Sequence, residues 1–176
     1  MDVTPFAYWN TLAQIGNTLA VFASLLVACA AIIWNLRIAR KAQTATFLYE
    51  SRADERYSTG LQVLRMIHHS GKSFRSYIFP VDEISPLEIE QRQQLVYFLN
   101  FYERLAVGVH HGIYHDEMVK QIFYSGIVNN FIIVKPFINA IRERTERDTY
   151  YQEYEYLVHR WRHAPLKVKN KKRVPL

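Results

Sequence analysis

Residues 15–34, IGNTLAVFASLLVACAAIIW, form an uninterrupted uncharged run of twenty residues. As a helix such a run is about 30 Å long, the thickness of a bilayer's hydrocarbon core. No charged residue stands between Asp2 and Arg37, so the apolar zone extends well beyond the run on its N-terminal side. Tyr8 and Trp9 flank it on one side and Trp34 on the other, as interfacial aromatics do, and Arg37, Arg40 and Lys41 follow at once. The positive-inside rule then predicts a single-pass protein with its N-terminus outside and everything after Lys41 in the cytoplasm. A cleaved signal peptide is the competing reading, because Ala28-Cys29-Ala30 has the small-x-small form and Leu26-Val27-Ala28-Cys29 resembles a lipoprotein box. Secretory signals carry their cations before the apolar core, however, and here they come after it.

The run also has a sidedness. At 100° per residue, Asn10, Gln14, Asn17, Val21, Ser24, Ala28, Ala31 and Asn35 fall on one stripe, whereas Phe22, Leu25, Leu26 and Ile33 lie mainly elsewhere. An isolated anchor in lipid gains nothing from gathering amides on one side, since unpaired polar groups in hydrocarbon are costly. Two explanations are open. Small residues at spacing four (Gly16, Ala20, Ser24, Ala28) suit close helix–helix packing, and the same stripe suits the water-facing side of a ring of helices, with Asn10, Gln14, Asn17, Val21, Ser24 and Ala28 lining a pore.

Outward from the run, charge is unevenly placed. The formal charge of +6 owes five units to Lys167, Lys169, Lys171, Lys172 and Arg173, and the rest of the chain carries only +1. Basicity therefore belongs to a tail rather than to a nucleic-acid-binding face. Cys29 is the only cysteine, which excludes an intramolecular disulfide and a cysteine-rich metal site. His159 and His163 stand at i, i+4 but lack the glutamate of a zinc-protease helix, and His68-His69 and His110-His111 are adjacent pairs. No metal and no cofactor is expected. The tyrosine-rich stretch Tyr150, Tyr151, Tyr154, Tyr156 reads as a core or interface face before it reads as a base-stacking platform.

The remainder is predicted all-helical. The first helix should run past Lys41 without a hinge, because no Gly or Pro interrupts residues 17–58. A second helix is expected over residues 59–77, with Leu61, Leu64, Ile67 and His68 on one face. Ser85-Pro86-Leu87-Glu88 has the form of a capping box with proline at the first helical position, opening a helix that stops near Gly112. His115-Asp116 opens another, which Pro136 should kink or break, and Asp148 should cap the last, through Tyr150, Tyr154, Leu157 and Trp161. The organisation is thus residues 1–41 as anchor and juxtamembrane segment, 42–163 as a four- to five-helix bundle, and 164–176 as a basic tail. Phosphate loops and nucleophile elbows are lacking from the sequence.

One stretch carries a resemblance. Glu103-Arg104-Leu105-Ala106-Val107-Gly108, followed by His110 and His111, with Lys135-Pro136-Phe137-Ile138 and His159-Arg160-Trp161 further on, resembles the small membrane accessory proteins of type VI-B CRISPR systems over nearly the whole chain. That resemblance implies a divergent HEPN-like helical domain in which Arg104 and His110 occupy the Arg-x(4–6)-His positions. It also implies a bacterial inner-membrane location and a ring-shaped homo-oligomeric pore. The pore would strengthen antiphage defence by an RNA-guided, RNA-targeting effector through depolarisation; direct RNA contact is left open. Active HEPN ribonucleases place a polar residue after the arginine, where this chain has Leu105. A helix sets Arg104 and His110 some 120° apart, with His111 closer in projection. The expectation is therefore no catalytic residue and no enzyme, with Arg104, His110 and His111 structural or gating and Glu103 free to pair a cation in the core. A membrane-tethered ribonuclease and an anchor recruiting a soluble partner are the alternatives.

Overall fold

The computed structural model describes residues 5–167, with side chains from Tyr8 onward; Asp2, Lys169, Lys171, Lys172 and Arg173 lie outside the described residues. It is all-helical, with no strand among the described residues. The helices are α1 (Pro5–Ala53), α2 (Glu55–Ser70), α3 (Pro86–His110), α4 (Asp116–Thr145) and α5 (Gln152–His163), with a 3₁₀ turn at Phe74–Tyr77 before α3. The chain divides into two compact units, residues 1–40 and 41–176, and α1 contributes to both.

Over its described residues the first unit is helix alone. Its large apolar side chains are open, Trp9 at 68% of full exposure, Leu26 at 71% and Trp34 at 63%, so no part of the described chain supplies them with a core. Among the described residues, one helix is long and apolar enough to cross a membrane.

The second unit is built around α3. Leu95, Phe98, Leu99, Tyr102 and Leu105 are fully buried, facing Leu64 and Ile67 of α2, Phe137 and Ile138 of α4, and Tyr154, Leu157 and Trp161 of α5. Burying a side chain of this size contributes roughly 1.5–3 kcal/mol, which makes α3 the element the bundle condenses on. The last turns of α1 join this core through Thr44, Leu48 and Ser51, and the ring of Phe47 lies 5.6 Å from Phe101 and 4.7 Å from Tyr114. At the α2–α3 crossing the backbones come close enough that a Cβ on Gly60 would lie 2.8 Å from both the Gln94 carbonyl oxygen and the Phe98 Cβ. Polar atoms in the interior are paired: the Tyr57 and Tyr102 hydroxyls are 2.9 Å apart, and the Tyr154 hydroxyl donates to the Ile127 carbonyl.

Several boundaries differ from expectation for identifiable reasons. The α1–α2 break falls on one residue, Asp54, which leaves helical geometry (φ −76°, ψ 95°) and accepts the Tyr57 N–H at 2.9 Å as an N-cap. Thus α2 begins four residues earlier than residue 59. It also ends earlier, because Gly71 takes the left-handed conformation (φ 71°) and closes the helix before the 3₁₀ turn. His68 is exposed, and Val63 takes the place assigned to it on the buried face. The capping box at Ser85 and Glu88 forms in both directions, and α3 stops one residue before His111, with Gly112 left-handed beyond it. Pro136 neither breaks nor ends α4. Its missing N–H deprives only the carbonyl of Ile132, and both residues lie on the exposed side, where that carbonyl is not trapped in the core. Asp148 does not cap α5. Tyr151, itself left-handed (φ 57°), occupies the N-cap position and offers no side-chain hydrogen bond.

Candidate functional site

Two sets of residues bear on function: the stripe on α1 and the motif on α3. All six stripe residues, Asn10, Gln14, Asn17, Val21, Ser24 and Ala28, are exposed on the helix. Their polar groups divide into two kinds. The Ser24 hydroxyl donates to the Ala20 carbonyl at 2.8 Å, and the nearby Thr18 hydroxyl donates to Gln14 at 2.9 Å, so these hydroxyls are satisfied by their own helix and tolerated in lipid or in water. The amides of Asn10, Gln14 and Asn17 cannot be fully satisfied in that way, since each carries two donors and an acceptor. They are the groups whose stability depends on what surrounds α1. Over its whole length α1 has no dominant apolar face, so the stripe is a feature of residues 10–35 rather than of the entire helix.

On α3 the motif residues go separate ways. Arg104 is exposed, its Nε–H returning to the Asn100 carbonyl one turn back at 3.3 Å. Its side chain borders a cleft of about 320 Å³ that also involves Phe47, Glu50, Asp54, Tyr97 and Tyr114. His110 is exposed on another side of the helix, its ring 5.5 Å from that of Tyr156 on α5 and 5.3 Å from that of His111. The structure does not bring Arg104 and His110 to common neighbours within one chain, as their 120° separation predicts.

The expected pairing of Glu103 with a core cation is corrected. Glu103 points to the start of α5, where its two oxygens accept the Tyr154 N–H at 2.8 Å and the Glu153 N–H at 3.3 Å. It is the cap that Tyr151 does not provide. Burial pushes the Glu103 carboxyl above its ordinary range, against the lowering effect of those two backbone donors. Arg104 is thus an exposed arginine beside a half-buried glutamate.

The other stretches that carry the resemblance are also occupied with packing. Arg160 and the Trp161 indole both donate to Asp116 Oδ1, at 2.8 and 3.0 Å, tying the last turn of α5 to the first of α4. Phe137 and Ile138 are fully buried, and Lys135 lies 3.4 Å from Glu155, which also holds Arg142 at 2.7 Å. Sequence reasoning missed Asp54, whose second oxygen accepts the Tyr97 hydroxyl, and Lys120, which is buried and donates to the Ala164 carbonyl at the end of α5. An aspartate three residues before an aromatic is a weak cap signal, and nothing in the sequence marks Lys120. The tyrosine-rich stretch divides: Tyr151 and Tyr154 are buried, while Tyr150 and Tyr156 are open. No cluster of three metal-ligating side chains occurs among the described residues.

A family model described as a domain of unknown function, DUF4760, matches residues 18–161. The chain belongs to the DUF4760 family. No curated protein and no solved structure matches it. The DUF4760 match begins inside α1 and ends on Trp161, so it takes in most of the apolar run together with the bundle. The bilayer-length segment is in large part a component of the domain itself, while Asn10, Gln14 and Asn17 precede the matched region.

Proposed function

We propose that this DUF4760 chain is a homo-oligomeric pore of the bacterial inner membrane, inserted by α1 with the bundle in the cytoplasm. By its resemblance to type VI-B CRISPR accessory proteins, it acts by depolarising the membrane during RNA-guided antiphage defence. One observation carries this reading: α1 leaves its apolar surface open over the length of a bilayer while gathering three amides on one side. Open apolar surface of this extent calls for lipid, and clustered amides call for water or for each other. In a ring both demands are met at once. No chemical step is needed, and the bundle serves as the assembly that holds the helices in register. The separate neighbours of Arg104 and His110 favour this reading over a ribonuclease that would use both residues of one chain.

The test is conduction in the Asn17→Leu, Ser24→Leu double variant, read by a potential-sensitive dye together with particle size. Leucine favours insertion and a hydrophobic constriction gates by dewetting, so depolarisation should be lost with the particle intact, while Leu25→Ile changes little. Normal depolarisation in the double variant rules out this face as the conducting path. Loss of the particle along with conduction instead assigns the stripe to helix packing.

A further inference from the structure

The charges of the second unit are divided between its two ends. The chain enters it at Lys41, and Thr44 accepts the His115 N–H at 2.7 Å, so α4 begins beside the point of entry. His111 closes α3 four positions earlier, and Asp116 ties the last turn of α5 to the same place through Arg160 and Trp161. Lys120 adds a second tie, to the Ala164 carbonyl. At this entry end Lys41, Arg162 and Lys167 are exposed against Glu117, while Asp116 is held by Arg160. The far end lies where α3 starts and where Glu143, near the end of α4, holds Arg75. Its exposed carboxylates are Asp82, Glu83, Glu90, Glu146 and Asp148. The cations beside them are Arg92, Arg144 and Arg147, since Lys72 and Arg75 are taken up by Glu88 and Glu143. The bundle is therefore basic where the chain enters and acidic at the other end. Two apolar side chains also stand open at the entry end, Ile113 at 49% and Leu166 at 37% of full exposure.

We infer that the entry end of the bundle is a docking surface for the anionic phospholipid headgroups of the bilayer that α1 enters, with Arg162 and Lys167 as its cations. This rests on the proposed insertion of α1 with the bundle in the cytoplasm, but not on conduction. Ten residues of α1 separate Trp34, the end of the apolar run, from Thr44, or about 15 Å of helix. The entry end is thus tethered within about two Debye lengths of the surface at physiological salt. Over that range the negative potential of an anionic leaflet attracts Lys and Arg. The same field repels the carboxylates of the far end, so attraction and repulsion turn the bundle the same way. Ile113 and Leu166, open among these cations, suit the boundary between headgroups and acyl chains. Lys169, Lys171, Lys172 and Arg173 follow Lys167 in the sequence and add cations of the same sign a few residues from this end.

The test uses the full chain with Cys29→Ser as background, reconstituted in vesicles of phosphatidylcholine with or without phosphatidylglycerol. A fluorophore is attached at His163→Cys on the entry end or at Asp82→Cys on the far end, both exposed positions, and is quenched by a nitroxide on the lipid headgroup. Quenching at His163→Cys should be several-fold greater with phosphatidylglycerol, and 1 M salt should remove the difference, because the Debye length falls to about 3 Å there. Quenching at Asp82→Cys should stay low in both lipids. Arg162→Glu with Lys167→Glu should abolish the lipid dependence at His163→Cys, and Arg162→Gln with Lys167→Gln, which is milder should the reversal disturb folding, should reduce it. Equal quenching in the two lipids, equal quenching at the two ends, or no response to either pair of substitutions would overturn the inference. Alkaline extraction reports insertion separately. A chain retained in the vesicles without lipid-dependent quenching sinks this inference and leaves the pore standing, whereas a chain washed out overturns both. Lipid-dependent quenching in a chain that does not conduct supports the docking surface and counts against the pore alone.

Discussion

At the scale of single residues, two glutamates on α3 show how position on one helix reverses the sense of a titration. Glu88, in the capping box, is lowered to about 2 by the Lys72 ammonium and then by the Ser85 backbone and hydroxyl. Its contribution to stability is present above its ordinary value of 4.5 and is lost as pH falls from there towards about 2. Glu103 is raised by burial, so its contribution is greatest below the ordinary carboxyl range and declines as pH rises through its folded value. A thermal melt followed from neutral to acid pH should therefore show Glu88→Gln flattening the loss of stability on the acid side; an unchanged acid slope would mean that the capping box does not couple to folding. Glu103→Leu removes the acceptors at the start of α5, and losing a cap of this kind costs about 1–2 kcal/mol. Glu103→Gln keeps one oxygen for the Tyr154 N–H and avoids burying a charge, so in urea unfolding it should lose less than the leucine variant. Equal losses would show that the two backbone donors contribute nothing.

At the scale of elements, what could be read in advance was what had a local cause. The start of α3 was legible because Ser85, Pro86 and Glu88 act on one another within a single turn, and its stop was legible in Gly112. The break at Asp54 was not, since no Gly or Pro marks it and the residue earns its place by a bond to Tyr97, forty-three positions away. Pro136 was misjudged for a similar reason: whether a proline ends a helix depends on which face it occupies, and that face is set by the rest of the bundle. The cap of α5 is the clearest case, supplied by Glu103 from another helix fifty residues earlier. The same dependence on neighbours makes Gly60 a sensitive small residue of the core. A methyl there meets a backbone oxygen and a Cβ at 2.8 Å, neither of which is a flexible chain end. Gly60→Ala should therefore destabilise the bundle by about 1–3 kcal/mol as overpacking does, despite alanine's better helix propensity. Chemical denaturation showing a net gain would mean that α2 can slide off α3 at little cost.

At the scale of the whole molecule, the apolar helix was legible from twenty consecutive residues, because length and absence of charge are properties of the segment itself. The motif was legible only as spacing. Its arginine is exposed beside a cleft, its neighbour Glu103 holds α5, and Arg160 and Trp161 meet on Asp116, so most of the recognisable residues act by holding the bundle together. Arg104 stands apart from them, and this makes it informative. An exposed side chain that bonds only to the preceding turn of its own helix is expected to change stability by less than about 0.5 kcal/mol when truncated. Arg104→Ala should accordingly melt at nearly the same temperature as the unaltered chain, unlike Glu103→Leu. Any loss of depolarisation or of particle size in Arg104→Ala then reports on contacts between copies or with a partner, not on folding. Ribonuclease activity gives the opposing outcome: if the purified chain cleaves RNA, and both Arg104→Ala and His110→Ala abolish cleavage with the particle intact, the two residues must be combined across copies. The pore would then have to give way to an assembled nuclease. With the two side chains directed to different neighbours in each subunit, no cleavage is the expected result.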